Sequence, residues 1–303
     1  MDERTLATVL TEAYGCATTV AGLRRDSGGA SRITSAFDAV TATGERHPLI
    51  LRLATPGQSA GAPLTLETAL MRSAAGQGVP TPHVVAAGDD FVVMERVDGE
   101  TIPRRILRDP PPGLAGQCGE ILAAIHRIPA VPGLAEGDQL ELWRAVLDAA
   151  GQPHPALELA FRRLDLDRPG CGRTGVVHGD FRNGNLIVGP DGVRAVLDWE
   201  LAHLGDPLED LGWLCAKPWR FGAGLPVGGF GEYDELVAAY ERASGIAVDR
   251  AALRWWELFG VLKWAVVCLM QAQRHLSGGE RSVELAALGR RVAESEWDLL
   301  NAL

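Results

Sequence analysis

The stretch from Val176 to Glu200, VVHGDFRNGNLIVGPDGVRAVLDWE, limits more than any other what this chain can become. Two short apolar runs, Leu186–Val188 and Val193–Leu197, have the length and composition of strands, and Gly189-Pro190-Asp191-Gly192 between them is a turn signal. The segment therefore predicts a hairpin. Polar clusters stand at its mouth: His178-Gly179-Asp180 with Arg182, Asn183 and Asn185 before the first strand, Asp198-Trp199-Glu200 after the second. Closing the hairpin brings Asn185 and Asp198 together, with Asp180 beside them on the entering loop. Two carboxylates and an amide oxygen converging in this way suit phosphoryl transfer from a magnesium nucleotide, because magnesium takes hard oxygen ligands and keeps several waters. The remaining carboxylate, Asp180, is then free to accept the proton of an attacking hydroxyl. The bland alternative is a hairpin with solvated turn acids.

The order Asp-x4-Asn, then Asp after a strand, follows the catalytic logic of protein kinases. Gly179 stands where kinases carry arginine, and Asp198-Trp199-Glu200 replaces their D-F-G. With those changes the stretch resembles the aminoglycoside phosphotransferase and choline-kinase branch of the kinase-like fold. The strand Leu49-Ile50-Leu51-Arg52-Leu53, the D-W-E motif and the Trp-rich C-terminal half are similar to the subgroup associated with acyl-CoA dehydrogenases. The resemblance runs from the Gly28-Gly29 loop through the C-terminal helices and is strongest over 176–210. It implies an α+β, bilobal protein-kinase-like fold, with an antiparallel sheet plus helix in residues 1–97 and a mostly helical lobe with the catalytic hairpin in 98–303. The implied activity is ATP- and Mg2+-dependent transfer of the γ-phosphate to a hydroxyl of a small molecule, either an aminoglycoside or a hydroxyacyl-CoA-type compound. Another nucleoside triphosphate could replace ATP. A catalytically inactive, nucleotide-binding pseudokinase is the alternative, and the joint presence of Asp180, Asn185 and Asp198 argues against it.

The same resemblance implies roles for individual residues. Asp180 would be the base, Asn185 and Asp198 would hold the metal with Glu200 as a further candidate ligand, and His178 would brace the catalytic loop. Arg52 takes the place of the strand lysine that holds phosphates, with Glu67 in the helix Leu64–Ala75 as its partner. Gly28, Gly29 and Ser31 would lie over the phosphates, and the backbone of Glu95 to Val97 would meet the adenine edge. Local sequence alone gives blander readings: a hairpin turn at Gly28-Gly29, an edge-strand charge at Arg52, a buried strand and a turn around Glu95. Asp206 and Asp210 read as support for the catalytic loop, with Asp206 as N-cap, Pro207 at the first helical position and Glu209 completing a capping box.

At 303 residues the chain exceeds the usual size of a single core, which favours two lobes. Its formal charge of −10 and the lack of a Lys/Arg-rich tract argue against nonspecific nucleic-acid binding. Five scattered cysteines without a C-x-x-C motif predict reduced thiols. No signal peptide is evident, and the most apolar run, Leu258–Met270, is too short to span a bilayer and contains Lys263. A cytoplasmic protein with no membrane partner is expected. Strands are predicted at Thr18–Leu23, Ile33–Val40, Leu49–Ala54, Val84–Ala87 and Phe91–Val97. Helices are predicted at 2–14, Gln117–Ile128 (with His126 off its apolar stripe), Gln139–Ala150, Pro155–Leu164, Tyr233–Ala243, Arg250–Leu276 and Ser282–Ala302. The segment from Trp213 to Phe230 reads as a long ordered loop and a candidate wall of the acceptor pocket, although Trp213 and Trp219 fit core packing equally well.

Overall fold

The helices begin where short polar side chains can take the unpaired backbone N–H groups of a first turn. In the computed structural model, which describes residues 1–25, 32–54, 62–170 and 172–303, Asp2 caps α1 (Glu3–Tyr14), accepting from Thr5 N at 2.8 Å. The chain then forms β1 (Thr18–Arg25), β2 (Arg32–Thr41) and β3 (Arg46–Ala54), crosses in α2 (Leu64–Gly76), and returns as β4 (Val84–Ala87) and β5 (Phe91–Glu95). These strands make an antiparallel sheet in the order β1-β2-β3-β5-β4. Arg52 sits in its centre, opposite Thr34 on β2 and Val92 on β5. Leu6 and Leu10 of α1 close one face over Phe37, Leu49, Leu51 and Val93. On the other side α2 buries Leu70 and Met71 against Val92 and Met94.

The second part is mostly helical. It contains α3 (Pro103–Ile106), α4 (Leu114–Ile125), the two-residue strand β6 (Ala135–Glu136), α5 (Gln139–Ala150) and α6 (Pro155–Leu166). Next come β7 (Gly175–Val177), β8 (Leu186–Gly189), β9 (Gly192–Val196) and β10 (His203–Gly205), then α7 (Leu208–Cys215), α8 (Tyr233–Ser244), α9 (Arg250–Leu276), α10 (Val283–Gly289) and α11 (Arg291–Ala302). Asp138 and Asp249 cap α5 and α9 through their carboxylates. The hairpin β8–β9 forms as the sequence predicts, with Leu186 opposite Val196. It is tied to the segment after β5 by paired bonds between Glu100 and Val188, and to the residues ahead of β4 by Val196 N donating to Pro80 O at 2.8 Å.

Several local expectations change. The helix predicted at Gln117–Ile128 runs over Leu114–Ile125, and the C-terminal helix is two helices broken at Arg290. The small sheet β6-β10-β7 has no signal in the sequence, because its strands are two or three residues long. Trp213 lies inside α7, not in a loop, and Trp219 lies in a 3-10 turn over Lys217–Arg220. Cys118, Cys215 and Cys268 are buried free thiols, as expected of reduced cysteines. No described helix is long and apolar enough to cross a membrane.

Candidate active site

The hairpin mouth is the place where the polar clusters meet. Leu197 N donates to Asn185 O at 2.8 Å, one rung beyond the β8–β9 ladder, and this sets Asn185 beside Asp198. Asn185 Nδ2 donates to Asp180 Oδ2 at 2.6 Å and to Asp180 O at 3.0 Å. With its amide nitrogen turned to Asp180, the Asn185 side-chain oxygen has no protein donor among the described residues. Asp198 has a left-handed backbone (φ 67°) and presents Oδ1 to Arg52 Nη2 at 3.4 Å. Burial, then the neighbouring Glu200 carboxylate, push the Asp198 carboxyl above its ordinary value, and Arg52 opposes them. A bound cation would be welcome at such a carboxylate. Glu200 is near enough to act on Asp198, although its own side chain is bonded to no described residue.

The loop that carries Asp180 is held from below. Asp210, the third residue of α7, is fully buried and accepts His178 N at 2.8 Å and Gly179 N at 2.9 Å. His126 approaches the same carboxylate at 3.1 Å and Tyr240 at 3.0 Å, so its side chain points inward from α4. Gly179 has φ 77°, and a Cβ there would stand 2.3 Å from Leu201 O, so an arginine in this position has no room. The His178 ring accepts from Asp180 N at 3.2 Å and donates from Nε2 to Leu197 O at 3.1 Å, which suits the neutral tautomer. Burial lowers its basicity, against the pull of Asp210 and Asp180. His178 thus bolts the loop to the hairpin.

Asp180 itself accepts from three side-chain donors. Trp213 Nε1 reaches Oδ1 at 2.8 Å and Arg182 Nε reaches the same oxygen at 3.0 Å, in addition to Asn185 on Oδ2. Beneath Trp213 lies Lys263 of α9, 2% exposed, its ammonium 4.6 Å from the indole centroid. Lys263 donates to Gly179 O at 2.9 Å and to Glu209 at 3.1 Å, and Glu209 also accepts from His203 at 3.0 Å. Burial drives the Glu209 carboxyl up, but Lys263 and His203 outweigh it and hold it low. Glu209 is therefore a buried ion partner and not the capping-box residue that local sequence predicts; its own N–H bonds to Asp206 O.

On the sheet side, Glu67 of α2 is 1% exposed and pairs with Arg52 at 3.3 Å, as expected. It also pairs with Arg32 of β2 at 2.5 Å, a partner that the sequence did not announce. Arg52 thereby bridges Glu67 and Asp198. At the link between the lobes, Glu95 N donates to His83 O and Arg96 N to Pro48 O, which leaves Val97 as the nearest N–H with no described backbone acceptor. Gly28, Gly29, Ser31 and Cys171 lie outside the described residues. Among the described residues no cluster of three or more His, Cys, Asp or Glu side chains is arranged for a metal. An acid and an amide oxygen at the hairpin mouth, in a hard-oxygen setting, fit magnesium and not a softer ion.

The model of the phosphotransferase enzyme family matches residues 23–256. The chain belongs to that family. Among curated relatives, acyl-CoA dehydrogenase family member 10 of Mus musculus is 29% identical over 77% of this chain and 25% of its own length. Acyl-CoA dehydrogenase family member 11 of Gallus gallus is 30% identical over 76% and 34%. The chain thus spans a quarter to a third of the length of these relatives, which carry this kinase-like domain. Among solved structures, a putative aminoglycoside phosphotransferase from Ralstonia eutropha matches with a TM-score of 0.76 at 23% identity, covering 99% of this chain and 98% of the other. Spectinomycin phosphotransferase, solved with ADP and spectinomycin, matches at 0.68 and 14% identity, covering 100% and 99%. The bilobal kinase-like α+β fold of the phosphotransferase family is therefore the fold of this chain.

Proposed function

We propose that this phosphotransferase moves the γ-phosphate of ATP to a hydroxyl of a small molecule, at the mouth of the β8–β9 hairpin. The observation that carries the reading is the convergence of Asp180, Asn185 and Asp198 on one side and of Arg52 with Glu67 on the other. In this reading residues 1–97 cover the nucleotide and residues 98–303 supply the loop and the acceptor pocket. The Val97 N–H meets the adenine edge, and Arg52 takes phosphate oxygens with its planar fork. The residues that would hold magnesium are Asn185 and Asp198, with Glu200 behind them; the ion would neutralise charge on the transferring phosphate.

The acceptor hydroxyl donates to Asp180 as its oxygen attacks phosphorus. A new O–P bond forms, the bond to the bridging oxygen of ADP breaks, and the hydroxyl proton passes to Asp180. With three side-chain donors already on it, Asp180 is fixed in place and serves chiefly to orient the hydroxyl before it takes the proton. Most of the rate then comes from alignment and preset charges. The kinship with acyl-CoA dehydrogenase family members favours a hydroxyacyl-CoA-type acceptor over an aminoglycoside. A cytoplasmic site, supplied with ATP, is part of the same reading.

The test is incubation with Mg-ATP and a panel of hydroxyacyl-CoAs, aminoglycosides, choline-like amines and sugars, with mass spectrometry for an added phosphate. Phosphorylated hydroxyacyl-CoA, absent with Asp180→Ala, is the expected result. Transfer that survives Asp180→Ala would remove the residue from this role.

A further inference from the structure

Arg182 stands two residues beyond Asp180, and the mechanism above uses only its Nε, as a donor to Asp180. Its side chain is fixed at two points. Nε donates to Asp180 Oδ1 at 3.0 Å, and the guanidinium carbon lies 4.5 Å from the centroid of the Trp219 ring. Trp219 is itself immobilised, 5.0 Å from Trp213 and 4.7 Å from Trp264. A planar cation held through its inner nitrogen and one face is a preset fork, with its two terminal nitrogens left for another partner. Those nitrogens have no protein acceptor among the described residues. Nη1 lies alongside Gly184, where a Cβ would come within 2.6 Å of it and within 3.4 Å of Pro103 at the start of α3. The side chain is 23% exposed, so the fork is reachable.

The surrounding charges point the same way. The buried carboxylates of this half are already committed: Glu209 to Lys263 and His203, Asp210 to His126 and two backbone N–H groups, Glu257 to Arg220, Arg254 and Tyr233. Arg104, Arg105 and Arg108 are exposed on and after α3, the helix that starts at Pro103 beside Gly184, and of these Arg105 pairs with Glu100. A polycationic acceptor would meet the Arg182 cation and the indoles here, where the carboxylate bonded to Arg182, Asp180, already carries three side-chain donors. This local balance runs against the acidic net charge of −10 for the whole chain.

We propose that Arg182 is the acceptor-recognition residue, and that it binds an anionic group, a carboxylate or a phosphate, carried by the hydroxyl compound that Asp180 orients. The proposal rests on the phosphotransfer reading and narrows its substrate class to anionic hydroxyl compounds. Because the same guanidinium bonds Asp180 through Nε and the ligand through its terminal nitrogens, it fixes the distance between the acceptor's anion and its reacting hydroxyl. Charge-assisted, bidentate capture gives both affinity and register.

The test titrates three anionic probes, 3-hydroxybutyrate, glycerol 3-phosphate and 3-hydroxybutyryl-coenzyme A, each against a neutral partner: the methyl ester, glycerol, and the N-acetylcysteamine thioester. Kanamycin is the cationic arm. Binding is measured by calorimetry with and without saturating Mg-ADP, on wild type, Arg182→Lys and Arg182→Gln. At least one anionic probe is expected to bind about tenfold tighter than its neutral partner, with Arg182→Gln erasing that difference and Arg182→Lys restoring part of it. Mg-ADP affinity should stay the same in both variants. The proposal is overturned if no anionic probe outbinds its partner, if kanamycin binds best, or if Arg182→Gln keeps the preference. A variant that loses Mg-ADP affinity instead would place Arg182 on the nucleotide's phosphates and overturn it equally. Failure of the wild type to bind Mg-ADP at all, with the anion preference intact, would strike at the phosphotransfer reading and leave this one standing.

Discussion

The two sides of the hairpin mouth are built differently. The Asp180 side rests on a buried lattice in which Asp210, His178, Trp213 and Lys263 each hold the catalytic loop at 2.8 to 3.2 Å. The Arg52 side is looser: its contacts to Glu67 and Asp198 are 3.3 and 3.4 Å, and Arg32 has the shorter claim on Glu67 at 2.5 Å. In the proposed reading, the side that orients a hydroxyl is finished before any ligand arrives. The side proposed to take a phosphate keeps an arginine only lightly engaged, free to exchange carboxylates for phosphate oxygens. Pre-organisation is spent where the geometry of attack is set.

This contrast can be broken most severely from the Asp180 side. Asp180→Asn keeps the shape of the side chain and should lower turnover by roughly 10²- to 10⁴-fold in a steady-state assay. A loss smaller than tenfold would mean that another group orients the hydroxyl. Next in size is the support below the loop. Lys263→Met leaves Glu209 buried without its main partner, and should cost roughly 3–5 kcal/mol of stability in a denaturant titration. An unchanged midpoint would show that the His203 contact suffices.

A gentler cut separates positioning from packing. Trp213→Phe keeps a smaller aromatic ring over Lys263 and removes the N–H on Asp180 Oδ1. The expected result is a fall of about tenfold in kcat, with KM for the nucleotide unchanged, from losing one bond to a charged group. Equal effects on kcat and melting temperature would reduce Trp213 to a core residue. The smallest effect is electrostatic. Burial opposes charge on His203, but Glu209 outweighs it, so the imidazole is more basic in the fold than its ordinary 6.5. This contribution is fully present below that value and fades as pH rises through the raised one. The melting temperature should therefore decline slightly as pH rises above 6.5, and His203→Gln should flatten that slope.

The sequence made the hairpin and its acids legible because their order in the chain is also their order in space. Asn185 and Asp198 flank a short hairpin, so pairing its strands is enough to place them. The helices with strong caps were equally readable: α5 and α9 start after Asp138 and Asp249 and run over the predicted residues. What escaped depends on distant packing. His126 lies off its helix's apolar stripe, yet points inward to Asp210, which is 84 residues away. Lys263 gave one signal, a lone charge within an apolar run, but its partner Glu209 looked like an ordinary capping residue. Trp213 resembled loop or core, and only the fold shows its indole nitrogen facing Asp180. Arg32 could not be foreseen, since nothing local ties β2 to α2.

The division between a loop that orients the hydroxyl and a hairpin acid that serves the nucleotide is tested most directly by calorimetric titration of Mg-ATP into wild type, Asp180→Ala and Asp198→Ala. Asp180→Ala should bind within about twofold of wild type, whereas Asp198→Ala should lose about tenfold or more, and only when magnesium is present. The opposite pattern, with Asp198→Ala unaffected and Asp180→Ala impaired, would contradict the assignment of the two sides.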